Sequence, residues 1–226
     1  MQKLSLIVLL SIFSVSLFAQ NFTKKEDSDP KAKEALEKMR KKYSAYQTLE
    51  ADFSLEIEVP EQPKEVQKGK LIQQGDKYRL QLNDRTLVSD GKSSWLYIKK
   101  NKEVQINDVD DDANSEGGIS SPKDLLKAYE WDDYVYALVN EFTENGKLVQ
   151  QIEFKPTKKD SDYSKIRLTL DKKTSDVVSI KSFGKDGTRY TLTVDKLTPN
   201  KQVPASTFTF SKSECPDCHF EDLRVD

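Results

Sequence analysis

Apolar and polar residues change rhythm along this chain, and the rhythm divides it into elements. Ala32, Ala35, Leu36, Met39, Tyr43 and Tyr46 recur at three- and four-residue steps, with lysines, glutamates and arginine between them. That is one apolar stripe on an α-helix. Asp29 is a suitable N-cap and Pro30 suits the first helical position. From Leu49 the period falls to two: Leu49, Ala51, Phe53, Leu55, Ile57 and Val59 alternate with Glu50, Asp52, Ser54, Glu56 and Glu58. This predicts a long strand with one dry and one wet face, ended by Pro60 and Pro63.

Further strands are predicted at 66–73, 77–82, 86–89, 94–99 and 103–106. Gly75-Asp76, Asn83-Asp84, Asp90-Gly91 and Lys100-Asn101 supply the turns. Residues 107–120 form an acidic loop. A second short helix follows, capped by Ser121 and opened by Pro122, with Leu125, Leu126 and Tyr129 on its apolar side. Strands resume at 134–142, 147–154, 165–170, 177–183 and 189–197. Asn145-Gly146 and Asp186-Gly187 are tight-turn signals. Phe208 and Phe210 mark a final strand.

About eleven strands at hairpin spacing and two short helices define a mainly β, antiparallel sheet. Its apolar face must be covered. A closed barrel or two-sheet sandwich with a solid core would do so. An unclosed β-barrel with the short helices as a lid over an apolar cavity also would, and the pattern leaves both open.

The first residues bear on the compartment. Lys3 precedes an apolar run from Leu4 to Phe18, and Ala19 precedes Gln20. This is the layout of a secretory signal peptide over 1–19, with cleavage expected after Ala19. Gln20 in place of Cys offers no lipid-bearing residue, so an untethered mature protein is expected. Residues 20–29 are polar and expected to be disordered, leaving 30–226 as a single β domain. The 36 Lys and Arg nearly balance 38 Asp and Glu. No basic excess points to a nucleic-acid partner.

Catalytic constellations are scarce. The single histidine, His219, is far along the chain, and no nucleophile elbow, P-loop or dinucleotide fingerprint occurs. An enzyme is therefore not expected, and neither is a cofactor or metal. Asp108, Asp110 and Asp112 match the start of a calcium loop, but Ala113 and Ile119 occupy positions that need Gly and Glu. Cys215-Pro216-Asp217-Cys218-His219 has the spacing of a c-type haem attachment or a redox pair. It lacks an apolar pocket pattern and a following helix. A local disulfide between Cys215 and Cys218, or two idle thiols, fits better.

The stretch Leu87-Val88-Ser89-Asp90-Gly91-Lys92-Ser93-Ser94-Trp95-Leu96-Tyr97 resembles a hairpin of the LolA family, periplasmic carriers of outer-membrane lipoproteins. Ala51-Asp52-Phe53, Gly69-Lys70-Leu71, Lys77-Tyr78-Arg79-Leu80, Lys185 to Tyr190 and Phe208-Thr209-Phe210 resemble other strands of that family, in order. Glu221-Asp222-Leu223-Arg224 is similar to the ending of Bacteroidetes-type members. The resemblance implies an unclosed barrel and a cavity for the acyl chains of lipoproteins, with a same-fold binder of another lipid or glycolipid as the alternative. It also implies an inner-membrane ABC transporter as donor and an outer-membrane acceptor. A monomer is expected.

Strand alternation nominates the cavity lining: Phe53, Leu55 and Ile57 on the first strand; Leu71, Tyr78 and Leu80 on the next two; Trp95 and Tyr97 beyond them. From the later strands come Tyr134, Tyr136, Ile152, Phe154, Leu168 and Leu192. Leu125, Leu126 and Tyr129 would form the lid's underside. The resemblance also places Gln74 where well-studied members carry an Arg that latches the lid. An amide there would hold more weakly.

Overall fold

The computed structural model describes residues 25–109 and 134–224. The signal segment, the lid helix with Leu125, Leu126 and Tyr129, and the calcium-like stretch from Asp110 onward lie outside the described residues. Lys25–Asp27 forms a single 3-10 turn.

Helix α1 spans Pro30–Ser44. Twelve strands follow: β1 Leu49–Glu58, β2 Glu65–Gln74, β3 Lys77–Gln81, β4 Arg85–Ser89, β5 Ser93–Ile98, β6 Glu103–Asp108, β7 Tyr134–Glu144, β8 Lys147–Pro156, β9 Tyr163–Asp171, β10 Val177–Gly184, β11 Arg189–Pro199 and β12 His219–Asp222. They make one sheet in the order β12-β6-β5-β4-β3-β2-β1-β11-β10-β9-β8-β7. Its end strands do not pair, so the sheet is unclosed. All neighbours are antiparallel except β12, which runs parallel to β6. Asn145 and Gly146 both take positive φ at the β7–β8 turn, the backbone that a two-residue hairpin needs.

The chain departs from expectation near Phe208 and Phe210. Their two-residue spacing looks like a strand. Instead, Ala205–Phe208 is a 3-10 turn, and the twelfth strand is the polar stretch His219–Asp222. No apolar alternation marks that strand, because Phe220 alone of its four residues packs into a core.

Helix α1 lies over β7 to β10 and is fastened at both ends. At its start one Asp29 carboxylate oxygen caps the helix, accepting from Lys31 N–H at 2.8 Å, and the other accepts from Leu138 N–H at 3.2 Å. Asp29 N–H donates to the Tyr136 carbonyl. At its end Lys42 Nζ reaches Asp176 at 2.6 Å and the Thr174 carbonyl at 2.8 Å. The Tyr43 hydroxyl oxygen accepts from buried Val177 N–H. Burial pushes the Tyr43 phenol up to about 12.

Between these fastenings the apolar stripe sinks into the main core. Ala32, Leu36 and Met39 meet Tyr134, Tyr136, Ile152, Phe154, Ile166, Leu168 and Leu170. Each large side chain fully buried there contributes about 1.5–3 kcal/mol.

A smaller core lies on the sheet's other face. Beyond β11 the chain crosses over and lays Phe210, Cys215, Cys218 and Phe220 on Val88, Trp95, Tyr97 and Val104. The Phe210 ring sits 5.2 Å from that of Tyr97 and 6.3 Å from that of Phe220. Arg79 stacks on Phe210 and pairs with Glu214. Cys215 and Cys218 form a disulfide, which leaves neither sulfur to bond a haem. Cys215 follows a 3-10 turn instead of preceding a helix, so no helix N-terminus activates it.

Candidate functional site

Strand register shows which side chains share the face that α1 packs against. One row runs Leu55, Leu192, Ile180, Leu168, Ile152, Leu138 across β1, β11, β10, β9, β8 and β7. A second runs Leu197, Ala51, Leu71, Leu80, Leu87, Leu96 across β11, β1, β2, β3, β4 and β5. Between them Phe53 pairs with Val194 on one side and Gly69 on the other. Three layers of apolar side chains thus cross the middle of the sheet on one side.

Coverage divides that side. Toward β7 to β9 the rows are sealed beneath α1: Ile152 and Leu168 are buried, as are Tyr134, Tyr136 and Phe154. Toward β1 to β5 they are not. Leu55, Ile57, Leu71, Leu80, Leu87, Leu96 and Leu192 are each only half-buried. This half-covered aliphatic surface is the candidate site.

Phe53 is its buried centre, and Gly69 is the reason Phe53 fits. A Cβ built on Gly69 would fall 2.2 Å from the Phe53 ring. The ring therefore lies across β2 in the space a side chain would occupy.

Of the nominated residues, Phe53, Leu55, Ile57, Leu71, Tyr78, Leu80 and Leu192 come together on this half. Tyr134, Tyr136, Ile152, Phe154 and Leu168 share the face but are packed as core beneath α1. Trp95 and Tyr97 need correction. They stand opposite Val88 and Thr86, on the other face, in the smaller core. Ser93 to Ile98 is apolar at both parities, so alternation cannot orient it. The residues missed in their place are Leu87 and Leu96. Turn register would have found them. The Asp90–Ser93 turn sets Ser89 opposite Ser94, hence Leu87 opposite Leu96, and Leu87 in turn faces Leu80.

Gln74 is exposed at the end of β2, in a groove with Gln47, Thr48 and Asn200. The lid it was expected to hold lies outside the described residues. The opposite, wet side of β1 carries an ionic lattice. Glu50 accepts from Lys70 at 2.6 Å and Lys201 at 2.8 Å, and Asp195 takes Ser54 and Lys68. Hydrogen bonds from Lys201 and Lys70 hold the Glu50 carboxyl below its usual value. Among the described residues no cluster of three His, Cys, Asp or Glu suits a metal ion. None of their helices is long and apolar enough to cross a membrane.

Comparison with known proteins places this unclosed sheet in a family. The sequence profile described as "Outer membrane lipoprotein carrier protein LolA" matches residues 44–211. The chain belongs to the LolA family. That family consists of carriers, not enzymes.

No curated protein matches the chain. Among solved structures, an uncharacterized conserved protein from Thermus thermophilus superposes with a TM-score of 0.56 at 12% identity, covering 86% of this chain and 99% of that one. It shares the fold. A LolA superfamily protein from Nitrosomonas europaea gives a TM-score of 0.42 at 11% identity, over 79% of this chain and 97% of its own. The lipoprotein LppX of Mycobacterium tuberculosis gives 0.48 at 11% identity, over 79% and 100%.

Proposed function

We propose that this LolA-family chain is a periplasmic carrier that shields the acyl chains of lipoproteins between an inner-membrane donor and an outer-membrane acceptor. The donor in this reading is an ABC transporter, and the carrier works as a monomer. Export would use the leader at 1–19, and Gln20 would leave the mature chain untethered. The family resemblance at Glu221 to Arg224 favours a Bacteroidetes-type member.

The carrying observation is the half-buried surface of Leu55, Leu71, Leu80, Leu87 and Leu192 beside a sealed core. An acyl chain of ~16 carbons costs about 12 kcal/mol to expose to water, at ~0.8 kcal/mol per methylene. Leucines offset that cost without directional bonds, so cargo can be released as well as held.

The test is transfer. Purified mature protein is mixed with inner-membrane vesicles holding a competent donor and a triacylated lipoprotein. A soluble complex of carrier and lipoprotein is expected. Lipoprotein that stays in the membrane fraction overturns the proposal. Carrier that leaves with a different lipid, identified by mass spectrometry, would reassign the cargo.

A further inference from the structure

The row that begins Leu138, Ile152, Leu168, Ile180, Leu192, Leu55 has one more member. On β2 the residue opposite Leu55 is Gln67. Six strands contribute an aliphatic side chain, and the seventh contributes an amide.

Gln67 is no surface amide. It is 8% exposed. Its Nε2 donates to a Glu65 carboxylate oxygen at 2.7 Å. That bond also settles the orientation of the amide, because a carboxylate can only accept. Oε1 is the atom left over, and it is buried with no hydrogen-bond partner among the described residues. Buried polar atoms are nearly always satisfied, so an orphaned acceptor on an apolar face calls for an explanation. Gln67 also lies on the part of β2 beyond the reach of β3, whose pairing begins at Lys70. The aliphatic row therefore ends at Gln67.

We infer that Gln67 Oε1 is the acceptor for a hydrogen-bond donor on the group that links the cargo's acyl chains together, and that this donor is an amide N–H. The inference rests on the carrier reading and deepens it. An acyl chain lying along the row brings its first polar atoms to the row's end. An ester linkage has only acceptors there and would face Oε1 with like polarity. An amide linkage offers N–H. Gln67 thus selects lipids carrying an amide-linked chain over lipids with ester-linked chains alone. Glu65 acts as a positioning residue that keeps Oε1 turned toward the cargo.

The test uses a triacylated lipopeptide with one amide-linked chain and its analogue with an ester oxygen replacing that N–H. Each competes against a fluorescent fatty acid for the purified mature protein. One neutral hydrogen bond in a dry site makes the amide compound bind about tenfold tighter to the wild type. In Gln67→Met, which keeps length and removes the acceptor, the two should bind within about twofold, with ester affinity no weaker than in the wild type. Should Gln67→Met fail to fold, Gln67→Leu serves, and the wild-type ratio decides by itself. Equal binding by the wild type overturns the inference alone, as does a tenfold preference that survives in the variant. Failure of both compounds to bind overturns the carrier reading with it.

Discussion

One face of this sheet carries two regions of like composition and unlike fate. Under α1, Tyr134, Tyr136, Ile152, Phe154 and Leu168 are closed off from water. Across β1 to β5, Leu55, Leu71, Leu80, Leu87 and Leu96 continue the same apolar layers and are only half-closed. No residue type separates the two regions. What separates them is a helix fastened at both ends, by Asp29 on β7 and by Lys42 and Tyr43 on the β9–β10 turn. Core and site are therefore one surface, and cover decides which part is which.

Leu168→Ala should break the sealed region hardest, at about 3 kcal/mol, since a fully buried leucine leaves a cavity. Urea unfolding would measure it, and binding of a fluorescent fatty acid should survive. The next effect is alkaline. The Tyr43 phenol stays protonated in the folded state up to about 12, against about 10 when unfolded. Stability from this group is complete below pH 10 and is lost between pH 10 and 12, by up to about 2.5 kcal/mol. Tyr43→Phe should flatten that slope in urea titrations run across the range.

Gly69→Ala drives a methyl group into the Phe53 ring. It should cost about 2 kcal/mol and weaken fatty-acid binding together, because it displaces the centre of the open region. Leu80→Ala is the smallest in stability, about 1 kcal/mol or less for a half-buried position. It should nonetheless reduce fatty-acid binding several-fold. Leu80→Ala and Leu168→Ala form a matched pair: the first should lower binding with little loss of stability, and the second should lower stability and leave binding intact. Equal effects of both on both measurements would erase the distinction between the regions.

Most of the fold is legible from periodicity. The helix from Pro30, the strand from Leu49, and the hairpins at Asn145-Gly146 and Asp186-Gly187 are written in local pattern and turn chemistry. Legibility fails where both parities are apolar, as at Trp95-Leu96-Tyr97. There alternation alone is silent: the Trp95 and Tyr97 side is covered by Phe210 and Phe220, more than a hundred residues away, and orientation must be carried from β4 across the Asp90–Ser93 turn. It fails again at β12, because in His219-Phe220-Glu221-Asp222 a single apolar residue gives no alternation to read. The site is legible in part. Phe53, Leu55, Leu71 and Leu80 follow from alternation. Leu87 and Leu96 need register carried across turns, and Gln67 needs knowledge that a polar residue sits in an otherwise aliphatic row.

The exposed rims of an open sheet are hazards, since unpaired backbone can recruit a neighbouring molecule. On one rim, Ser28 and Asp29 occupy the amides of Tyr136 and Leu138. On the other, β12 shields β6 with a strand only four residues long. Stoppers of this kind let a sheet stay unclosed while offering less bare backbone for a second molecule to join.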